Sequence, residues 1–269
     1  MPRVALVITT HERPDALAAV LDSVARQRDA PDIVVIADDG SGAGTREIIA
    51  GFRRRALVPV RDVRQEHEGF RVARLRNLAI AAVAPADPDY LVFVDGDMLL
   101  HPEFIADHRR FARPGWFTQG VRVLADAALT RRLLADPSQP LTPASTGLGG
   151  LRRAYLLHSP AAAAAARVLA NGLVAIKSCN FAAWRDDLVG VNGFDEGFSG
   201  WGPEDKELAL RLRHAGVRRQ TLLFGGIAVH LHHPAASRER LAANLARLET
   251  TRRERRTRAT HGLDSHRDA

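Results

Sequence analysis

YLVFVDGD, at residues 90–97, is an apolar run of strand length that ends directly in two aspartates around a glycine. An uninterrupted apolar run of this length predicts a strand that is buried on both faces. The glycine lets the chain turn, so that Asp95 and Asp97 can approach one point. Two carboxylates in one loop suit Mg²⁺ or Mn²⁺. The D-x-D pattern is common, but its place after a buried strand favours a metal site.

Two comparable apolar runs lie earlier in the chain, and helical patterns separate them. Residues 4–9 (VALVIT) and 33–37 (IVVIA) predict buried strands, and residues 57–63 predict a further one. Helical segments are predicted between the strands, at 17–24, 45–52 and 72–83. Strands that alternate with helices in this way predict an α/β fold, with a mostly parallel central sheet flanked by helices.

Polar residues follow three of these strands, so we expect them at one edge of the sheet. They are residues 9–12 (TTHE), 38–41 (DDGS) and 95–97 (DGD). Ligands of parallel sheets bind at this edge. An aspartate there can hydrogen-bond a nucleobase or a ribose, although DDGS is also an ordinary polar turn. Arg76 on the helix that follows suits a phosphate site, although an exposed arginine face is the alternative.

A second informative stretch occupies residues 180–215 and reads NFAAWRDDLVGVNGFDEGFSGWGPEDKELALRLRHA. Pro203 fits a first helical position, since its ring presets φ and its missing N–H is not needed there. Glu204 and Asp205 therefore fall in the first helical turn, where the helix dipole favours their ionised forms. Carboxylates under the face of Trp201 suit a sugar. The alternative is that acidic residues in a first turn only stabilise their helix.

Three histidines lie close together in the segment 230–234, HLHHP. They follow a predicted short strand at residues 227–231, and strand alternation places His230 and His232 on one face and His233 on the other. A single histidine is more often structural, but three within four residues indicate a site. Imidazole together with carboxylates favours Mn²⁺ over Mg²⁺.

Composition excludes several classes of protein. The 269 residues suffice for one large α/β domain or two small ones, and the single cysteine excludes a disulfide framework. The net charge is +7, but many of the arginines lie between residues 238 and 258, and aromatic residues for base stacking are few. We therefore expect no nucleic-acid partner. The sequence also predicts neither a membrane-spanning segment nor a signal peptide.

The rest of the chain is less informative. Residues 136–160 are rich in Pro, Gly, Ser and Thr and predict a lid or a disordered loop. A strand at 117–124 and a helix at 161–169 flank that loop. Ser237 is expected to cap a helix that packs through one stripe, formed by Leu241, Leu245 and Leu248. The basic tail at 258–269 is expected to be disordered.

The motifs together resemble a known family. VITTHERPDALAAVLDSVARQ, IADDGS and FVDGDMLLHPEFI look like the N-terminal half of family-two glycosyltransferases of GT-A fold. The stretch from residue 180 resembles the C-terminal motif of β-1,4-galactosyltransferases and polypeptide N-acetylgalactosaminyltransferases, and VHLHHP resembles the histidine segment that follows it. The resemblance implies one GT-A domain over residues 1–257. Its parts would be a nucleotide-binding half at 1–112, an acceptor and catalytic half at 113–234 and a C-terminal helix at 235–257.

The resemblance also implies roles for individual residues. Asp205 would be the general base, and the sugar and acceptor would contact Glu204, Trp201, Gly202 and Asn180. The nucleotide would contact Thr9, Thr10, Glu12, Asp38, Asp39, Arg76, Asn77 and Asp95, of which Asp95 reaches ribose or metal. Asp97 and His230 would hold the metal ion, with His232 as the second choice. This sequence departs from the galactosyltransferases at Pro203, where they have glycine, and at Lys206, where they have an acid.

The implied activity is an inverting, metal-dependent transfer of a hexose or N-acetylhexosamine from a nucleotide sugar, with UDP favoured, to a glycan, glycolipid or lipopolysaccharide-type hydroxyl. A sugar-phosphate nucleotidyltransferase is one alternative, but such enzymes usually carry a glycine-rich loop after the first strand, and residues 9–13 contain no glycine. The other is a non-catalytic sugar-nucleotide binding protein, which would not need Asp97 or Asp205. The expected location is the cytoplasm. The basic C-terminus is either a solvated tail or a contact to the anionic inner face of a membrane.

Overall fold

The computed structural model describes residues 1–84, 86, 88–167, 176–234 and 237–266. Its strands are β1 (Val4–Thr10), β2 (Ile33–Asp39), β3 (Val60–Gln65), β4 (Tyr90–Asp95), β5 (Met98–Leu100), β6 (Trp116–Gly120), β7 (Arg122–Leu124), β8 (Asn180–Trp184), β9 (Arg218–Leu222) and β10 (Ala228–His230). Its α-helices are α1 (Pro14–Ala25), α2 (Ala43–Arg55), α3 (Val72–Ala81), α4 (Phe104–Phe111), α5 (Ala127–Ala135), α6 (Pro160–Ala166), α7 (Arg185–Gly190), α8 (Glu204–His214) and α9 (Leu241–Glu254). Short 3₁₀ helices occupy Leu151–Leu156 and Leu263–His266.

Seven strands form the central sheet, in the order β3-β2-β1-β4-β8-β6-β9. Strand β1 is parallel to both β2 and β4, and β6 is parallel to β9. Strand β8 is antiparallel to its two neighbours. The predicted α/β fold with a mostly parallel sheet is therefore confirmed.

The central strands are apolar because helices cover both faces of the sheet. Alternate residues of β1 enter different cores. Leu6 packs in the core that contains Leu17 of α1, whereas Val7 packs in the core that contains Ile80 of α3. Every residue of β1 is buried, as the uninterrupted apolar run predicts.

A second, three-stranded sheet brings distant parts of the chain to the end of β4. Its order is β5-β10-β7. The single strand predicted at 117–124 is wrong, because the chain leaves the central sheet after Gly120 and pairs Arg122–Leu124 with β10 instead. The N–H of Leu231 donates to the carbonyl of Asp97 at 2.9 Å. The histidine segment is thereby attached to the DGD loop.

The loop at residues 136–160 is built onto the domain in part. Leu148 forms a β-bridge with Ala125, and Leu156 of the 3₁₀ helix is buried in the main core. Whether the segment acts as a lid stays a prediction. Of the helix predicted at 161–169, the structure shows Pro160–Ala166 as α6, and residues 168 and 169 lie outside the described part of the chain.

Helix α9 packs against α8 by a different stripe from the predicted one. Its buried residues are Asn244, Leu248 and Thr251, whereas Leu245 is 49% exposed. The helix begins at Leu241, after Arg240, so Ser237 is not its cap. The polar stripe is inward because its side chains satisfy buried groups: Thr251 Oγ1 donates to the buried Glu207 carboxylate at 2.9 Å. Among the described residues, none of the helices combines the length and the apolar character needed to cross a membrane.

The segment expected to be a disordered tail packs against the domain as far as residue 266. Leu263 is 1% exposed and lies in the core beside α3. Asn192 holds the backbone there, since its Nδ2 donates to the Ala259 carbonyl and its Oδ1 accepts from the Asp264 N–H. The expectation of disorder was wrong for these residues because charge alone does not show the two buried apolar side chains, Ala259 and Leu263.

Candidate active site

Two cavities meet at the carboxyl ends of β1, β2 and β4. The large cavity extends over Thr9, Asp39, Asp97 and the histidine segment. The small cavity extends over the start of α8 and the turn before β8. Five residues line both and form the junction: Phe70, Arg76, Asp95, Arg122 and Trp201. The cavities therefore lie at the edge of the sheet where the sequence predicts ligand binding.

Asp39 anchors one end of the large cavity. Its Oδ1 accepts from Gln65 Nε2 at 2.7 Å, and its Oδ2 lies 3.0 Å from Nδ1 of His67. The ring of His67 stacks on that of His11, with centroids 4.1 Å apart and planes 15° apart. An ion bound by both imidazoles would have to lie in both ring planes, which nearly parallel, stacked rings do not permit. This end of the cavity therefore offers a flat aromatic surface beside a carboxylate.

Thr9 and Thr10 connect Asp39 to the DGD loop. Thr9 Oγ1 donates to Asp95 Oδ1 at 3.0 Å, and the Gly96 N–H donates to the Thr9 carbonyl at 2.7 Å. A Cβ at Gly96 would lie 3.0–3.1 Å from the Thr10 side chain and the Thr9 carbonyl. Glycine therefore suits this position, because the loop passes close to the end of β1 and leaves little room for a side chain.

Asp97, His230 and His233 form a cluster that fits a divalent metal ion. Asp97 Oδ2 lies 3.7 Å from His230 Nε2 and 3.3 Å from His233 Nε2, and Arg13 Nη1 lies 3.4 Å away. The other oxygen, Oδ1, is buried without a hydrogen-bond partner, so it is available to an ion. Burial, with the nearby Asp95, raises the pKa of Asp97 to about 6. Burial lowers the pKa of His230 to about 4, which keeps the imidazole neutral as a ligand must be.

The second choice of metal ligand, His232, is corrected by the structure. Strand β10 ends at His230, so strand alternation does not continue to the next two residues. The chain turns instead, and the ring of His233 lies 5.0 Å from that of His230. His232 lines the large cavity but is not in the cluster, and its N–H donates to Thr130 Oγ1.

Asp205 and Glu204 are the first residues of α8, as predicted, and both line the small cavity. Asp205 accepts from the N–H groups of Ser178 at 3.3 Å and Lys206 at 2.7 Å. Burial raises the pKa of Asp205 above its usual range, while Lys177, Arg76 and the two N–H groups favour the ionised form. Burial and the adjacent Asp205 raise the pKa of Glu204 to about 7.

Trp201 lies between the two cavities and is held by cations and by α9. Arg238 lies 5.0 Å and Lys177 5.8 Å from the centre of its ring system. Asn244 Nδ2 donates to the Trp201 carbonyl at 3.2 Å. A Cβ at Gly202 would lie 2.4 Å from that Nδ2, so glycine lets the loop approach α9. Gly202 shapes the small cavity through its backbone.

Two asparagines expected to contact ligand lie outside both cavities. Asn77 is fully buried, and its side chain bonds the backbone N–H and carbonyl of Phe194 at 2.8 and 2.9 Å. Asn180 is 1% exposed, and its Nδ2 donates to the carbonyls of Val121 and Gly226 at 2.8 Å. Both predictions were wrong because these amides satisfy buried backbone groups, which leaves them no capacity for a ligand.

Two acids of the predicted nucleotide site also lie outside the cavities. Asp38 is 3% exposed, accepts from the Ser41 N–H at 3.0 Å and pairs with Arg64 at 2.7 Å. Glu12 accepts from the Gly42 N–H at 2.8 Å, so it caps the N-terminus of α2. Of the pair Asp38 and Asp39, only the second reaches the cavity, because successive residues of a strand point to opposite faces.

Besides His233, the residues at the site that were not predicted from the sequence include His11, His67, Arg122, Lys177 and Ser178. The histidines follow predicted strand ends, which was an available signal. Lys177 and Ser178 lie just before β8. Arg122 lies in β7, and the sequence pattern had placed it in one continuous strand at 117–124.

Comparison with known proteins agrees with this geometry. The family model described as "Glycosyl transferase family 2" matches residues 5–148, and the one described as "N-terminal domain of galactosyltransferase" matches residues 166–234. Validoxylamine A glucosyltransferase of Streptomyces hygroscopicus subsp. limoneus is 29% identical over 228 residues, which cover 81% of this chain and 49% of that protein. Chondroitin synthase of Escherichia coli is 25% identical over 260 residues, which cover 87% of this chain and 35% of that protein. The chain thus spans half or less of the length of these curated relatives.

Two solved structures share the fold. The mannosyltransferase PcManGT from Pyrobaculum calidifontis, in complex with GDP-Man and Mn²⁺, has a TM-score of 0.59 at 19% identity, over 86% of this chain and 57% of that one. S. aureus TarS 1-349, in complex with UDP, has a TM-score of 0.64 at 15% identity, over 98% of this chain and 68% of that one. These likenesses support the GT-A fold. Since the first family model covers more than half of the sequence, the chain belongs to glycosyl transferase family 2.

Proposed function

We propose that the chain is an inverting, metal-dependent glycosyltransferase that uses a nucleotide sugar. The observation that carries the proposal is the junction of the cavities. On one side of it lie Asp39 and the Asp97 cluster, and on the other lies Asp205 with its backbone donors. A donor that spans the junction would present its anomeric carbon to an acceptor hydroxyl near Asp205.

The large cavity would hold the nucleotide. The flat surface of His11 and His67 suits a base, and Asp39 beside it can accept from a base N–H or a ribose hydroxyl. Asp95, at the end of β4, would contact ribose or the metal ion. The resemblance to galactosyltransferases favours UDP, and the transferred sugar would be a hexose or an N-acetylhexosamine.

Asp97, His230 and His233 would hold the divalent ion. An ion bound there would offset the negative charge of the diphosphate leaving group. Two imidazoles with one carboxylate favour Mn²⁺ over Mg²⁺, which prefers oxygen ligands. The buried, unpartnered Asp97 Oδ1 supports the assignment.

Asp205 would act as the general base. The acceptor oxygen forms a bond to the anomeric carbon while the bond from that carbon to the diphosphate oxygen breaks, and Asp205 takes the acceptor's proton. A single displacement of this kind inverts the configuration. Trp201 would cover an apolar face of the sugar, and Glu204 would contact the acceptor. The acceptor would be a hydroxyl of a glycan or of a lipid-linked or lipopolysaccharide-type saccharide.

A screen of nucleotide sugars tests the proposal. The purified protein is incubated with UDP-, GDP- and TDP-sugars, with mono- and oligosaccharide acceptors, and with Mn²⁺ or EDTA. We expect metal-dependent release of one nucleoside diphosphate and an inverted product. Release of pyrophosphate from a nucleoside triphosphate and a sugar phosphate would instead identify a nucleotidyltransferase. Binding without turnover of any donor would identify a binding protein.

A further inference from the structure

The junction between the cavities contains two arginines that differ in their partners. Arg76 donates to Asp95 and to Glu204, at 3.1 Å each. Within the described ranges, Arg122 makes one weak contact, from Nη1 to Sγ of Cys179 at 3.7 Å. Burial raises the pKa of that thiol to about 12, so the thiol is neutral and does not balance the charge of Arg122. The Nε of Arg122 is buried and has no partner.

The backbone that carries Arg122 is fixed in place. Strand β7 pairs with β10, with Arg122 opposite Ala228. Asn180 bonds the carbonyl of Val121, and a Cβ at Gly120 would lie 2.1 Å from the Asn180 side chain. The fold therefore holds at the junction a guanidinium that forms no salt bridge with any residue in the described part of the chain. Because an unsatisfied buried donor lowers stability, a ligand that supplies the missing acceptor would bind there favourably.

The proposed reaction places the terminal phosphate of the nucleotide at the junction of the two cavities. The bond that breaks joins the anomeric carbon, on the Asp205 side, to the terminal phosphate of the nucleotide, on the Asp97 side. That phosphate must therefore lie at the junction. Its oxygen receives the bonding electron pair and gains negative charge as the sugar leaves. A planar guanidinium can donate two hydrogen bonds to a phosphate.

We propose that Arg122 binds the terminal phosphate of the nucleoside diphosphate and stabilises its charge as the sugar departs. The assignment rests on the proposed function. It gives Arg122 a different role from Arg76, whose charge is already paired with the carboxylates of Asp95 and Glu204.

The test compares nucleotides that differ only in the terminal phosphate. Affinities for UDP, UMP, GDP and GMP are measured by calorimetry with excess Mn²⁺, for the parent, Arg122→Gln and Arg122→Lys. We expect Arg122→Gln to weaken diphosphate binding about 10- to 100-fold and to change monophosphate binding by no more than about threefold. Arg122→Lys, which keeps the charge but loses the planar fork, should be intermediate. Arg131→Gln removes the same charge from the exposed surface of α5 and should match the parent.

The outcomes separate the two proposals. Equal weakening of diphosphate and monophosphate, or no weakening of either, would overturn the role of Arg122 and leave the proposed function standing. A parent protein that binds none of the four nucleotides would overturn both. Where Arg122→Gln does not fold, the same comparison with Arg122→Lys decides. With a donor identified, Arg122→Gln should lower kcat more than it raises KM, because the phosphate charge grows in the transition state.

Discussion

Arg76 Nη1 donates to Glu204 Oε1 at 3.1 Å, although 128 residues separate the two in the sequence. The same guanidinium donates to Asp95, so it links the end of β4 to the start of α8. Burial alone would lower the pKa of Arg76, but Asp95 and Glu204 more than offset this and raise it. One buried guanidinium thus faces three carboxylates, those of Asp95, Glu204 and Asp205. This imbalance favours a proton on one of them, and the pKa of Glu204, near 7, indicates Glu204.

The first prediction follows from that proton. The pKa of Glu204 is about 7 in the folded protein against 4.5 ordinarily, so between these pH values the folded state binds more protons than the unfolded state. The free energy of unfolding therefore falls as pH rises through this window. Glu204→Gln cannot ionise, so it should be more stable than the parent at pH 8, by up to roughly 3 kcal/mol, and the advantage should vanish near pH 4.5.

Urea unfolding at several pH values, without metal, measures this effect. The exposed Glu249→Gln on α9 is the matched control and should keep the parent's pH dependence. A Glu204→Gln variant whose stability tracks the parent at every pH would show that Glu204 is ionised throughout the window.

The second prediction concerns the metal cluster. Asp97→Asn should abolish Mn²⁺-dependent turnover and lower Mn²⁺ affinity by about tenfold or more, since an amide is a poor substitute for a carboxylate ligand. The histidines provide a sharper comparison. His233→Ala should weaken Mn²⁺ binding, whereas His232→Ala should not, because His233 belongs to the Asp97 cluster and His232 does not. Calorimetry with Mn²⁺ measures both, with the exposed Asp15→Asn as a control. Stronger loss in His232→Ala would reverse the assignment.

Sequence patterns predicted the sheet and much of the site because both depend on short-range regularities. An uninterrupted apolar run indicates a strand that is buried on both faces of the sheet. The residues that follow parallel strands lie at the same edge of the sheet. Asp39 and Asp97 lie in the large cavity for that reason, whereas Asp205 was located by the pattern of a helix start and lies at the start of α8. Asn77 and Asn180 were assigned wrongly because a motif does not show which buried backbone groups need partners. Phe194 lies 117 residues from Asn77, yet it is the partner.

The remaining wrong predictions arose because the sequence does not show where strands β6 and β10 end. The alternation that placed His232 beside His230 holds only inside a strand, and β10 ends at His230. The break after Gly120 depends on the close approach of the Asn180 side chain, which no local pattern reveals. Arg122 was missed because it follows that break.

The third prediction tests the structural role of Asn77. Asn77→Ala removes three hydrogen bonds, two to the backbone of Phe194 and one from Nδ2 to Glu196 Oε1. It leaves the N–H and carbonyl of Phe194 buried without their Asn77 partners. We expect a loss of about 2–4 kcal/mol, since each such group costs about 1–3 kcal/mol, and a melting temperature lower by about 5–15 °C. Turnover of the folded enzyme at low temperature should stay within a few-fold of the parent. A large fall in nucleotide affinity with unchanged stability would restore the ligand role.

The fourth prediction concerns contact with an anionic membrane. The arginines after residue 250 are partly neutralised, since Arg252 pairs with Glu249 and Arg256 with Glu254. We therefore predict weak sedimentation with anionic vesicles at low salt, and its loss as salt shortens the Debye length. Arg253→Glu with Arg255→Glu should abolish it. Arg54→Glu with Arg110→Glu carries the same charge change on other exposed surfaces and should bind as the parent does. Binding that resists high salt would argue against an electrostatic contact.

The last prediction concerns Asp205. Burial raises its pKa, which makes it a stronger base, while Lys177 and the N–H groups of Lys206 and Ser178 favour its charged form. Glu204 next to it holds the proton more readily, so the pair is divided into a neutral acid and a base. Asp205→Asn keeps the size but cannot take a proton, and we expect turnover to fall by about 10²–10⁴. Nucleotide and Mn²⁺ affinity should change little, because the sites proposed for these ligands lie across the junction from Asp205. If Asp205 only stabilises α8, the variant would lose about 1 kcal/mol or less and keep its turnover, so thermal unfolding and rate measured on one sample separate the two roles.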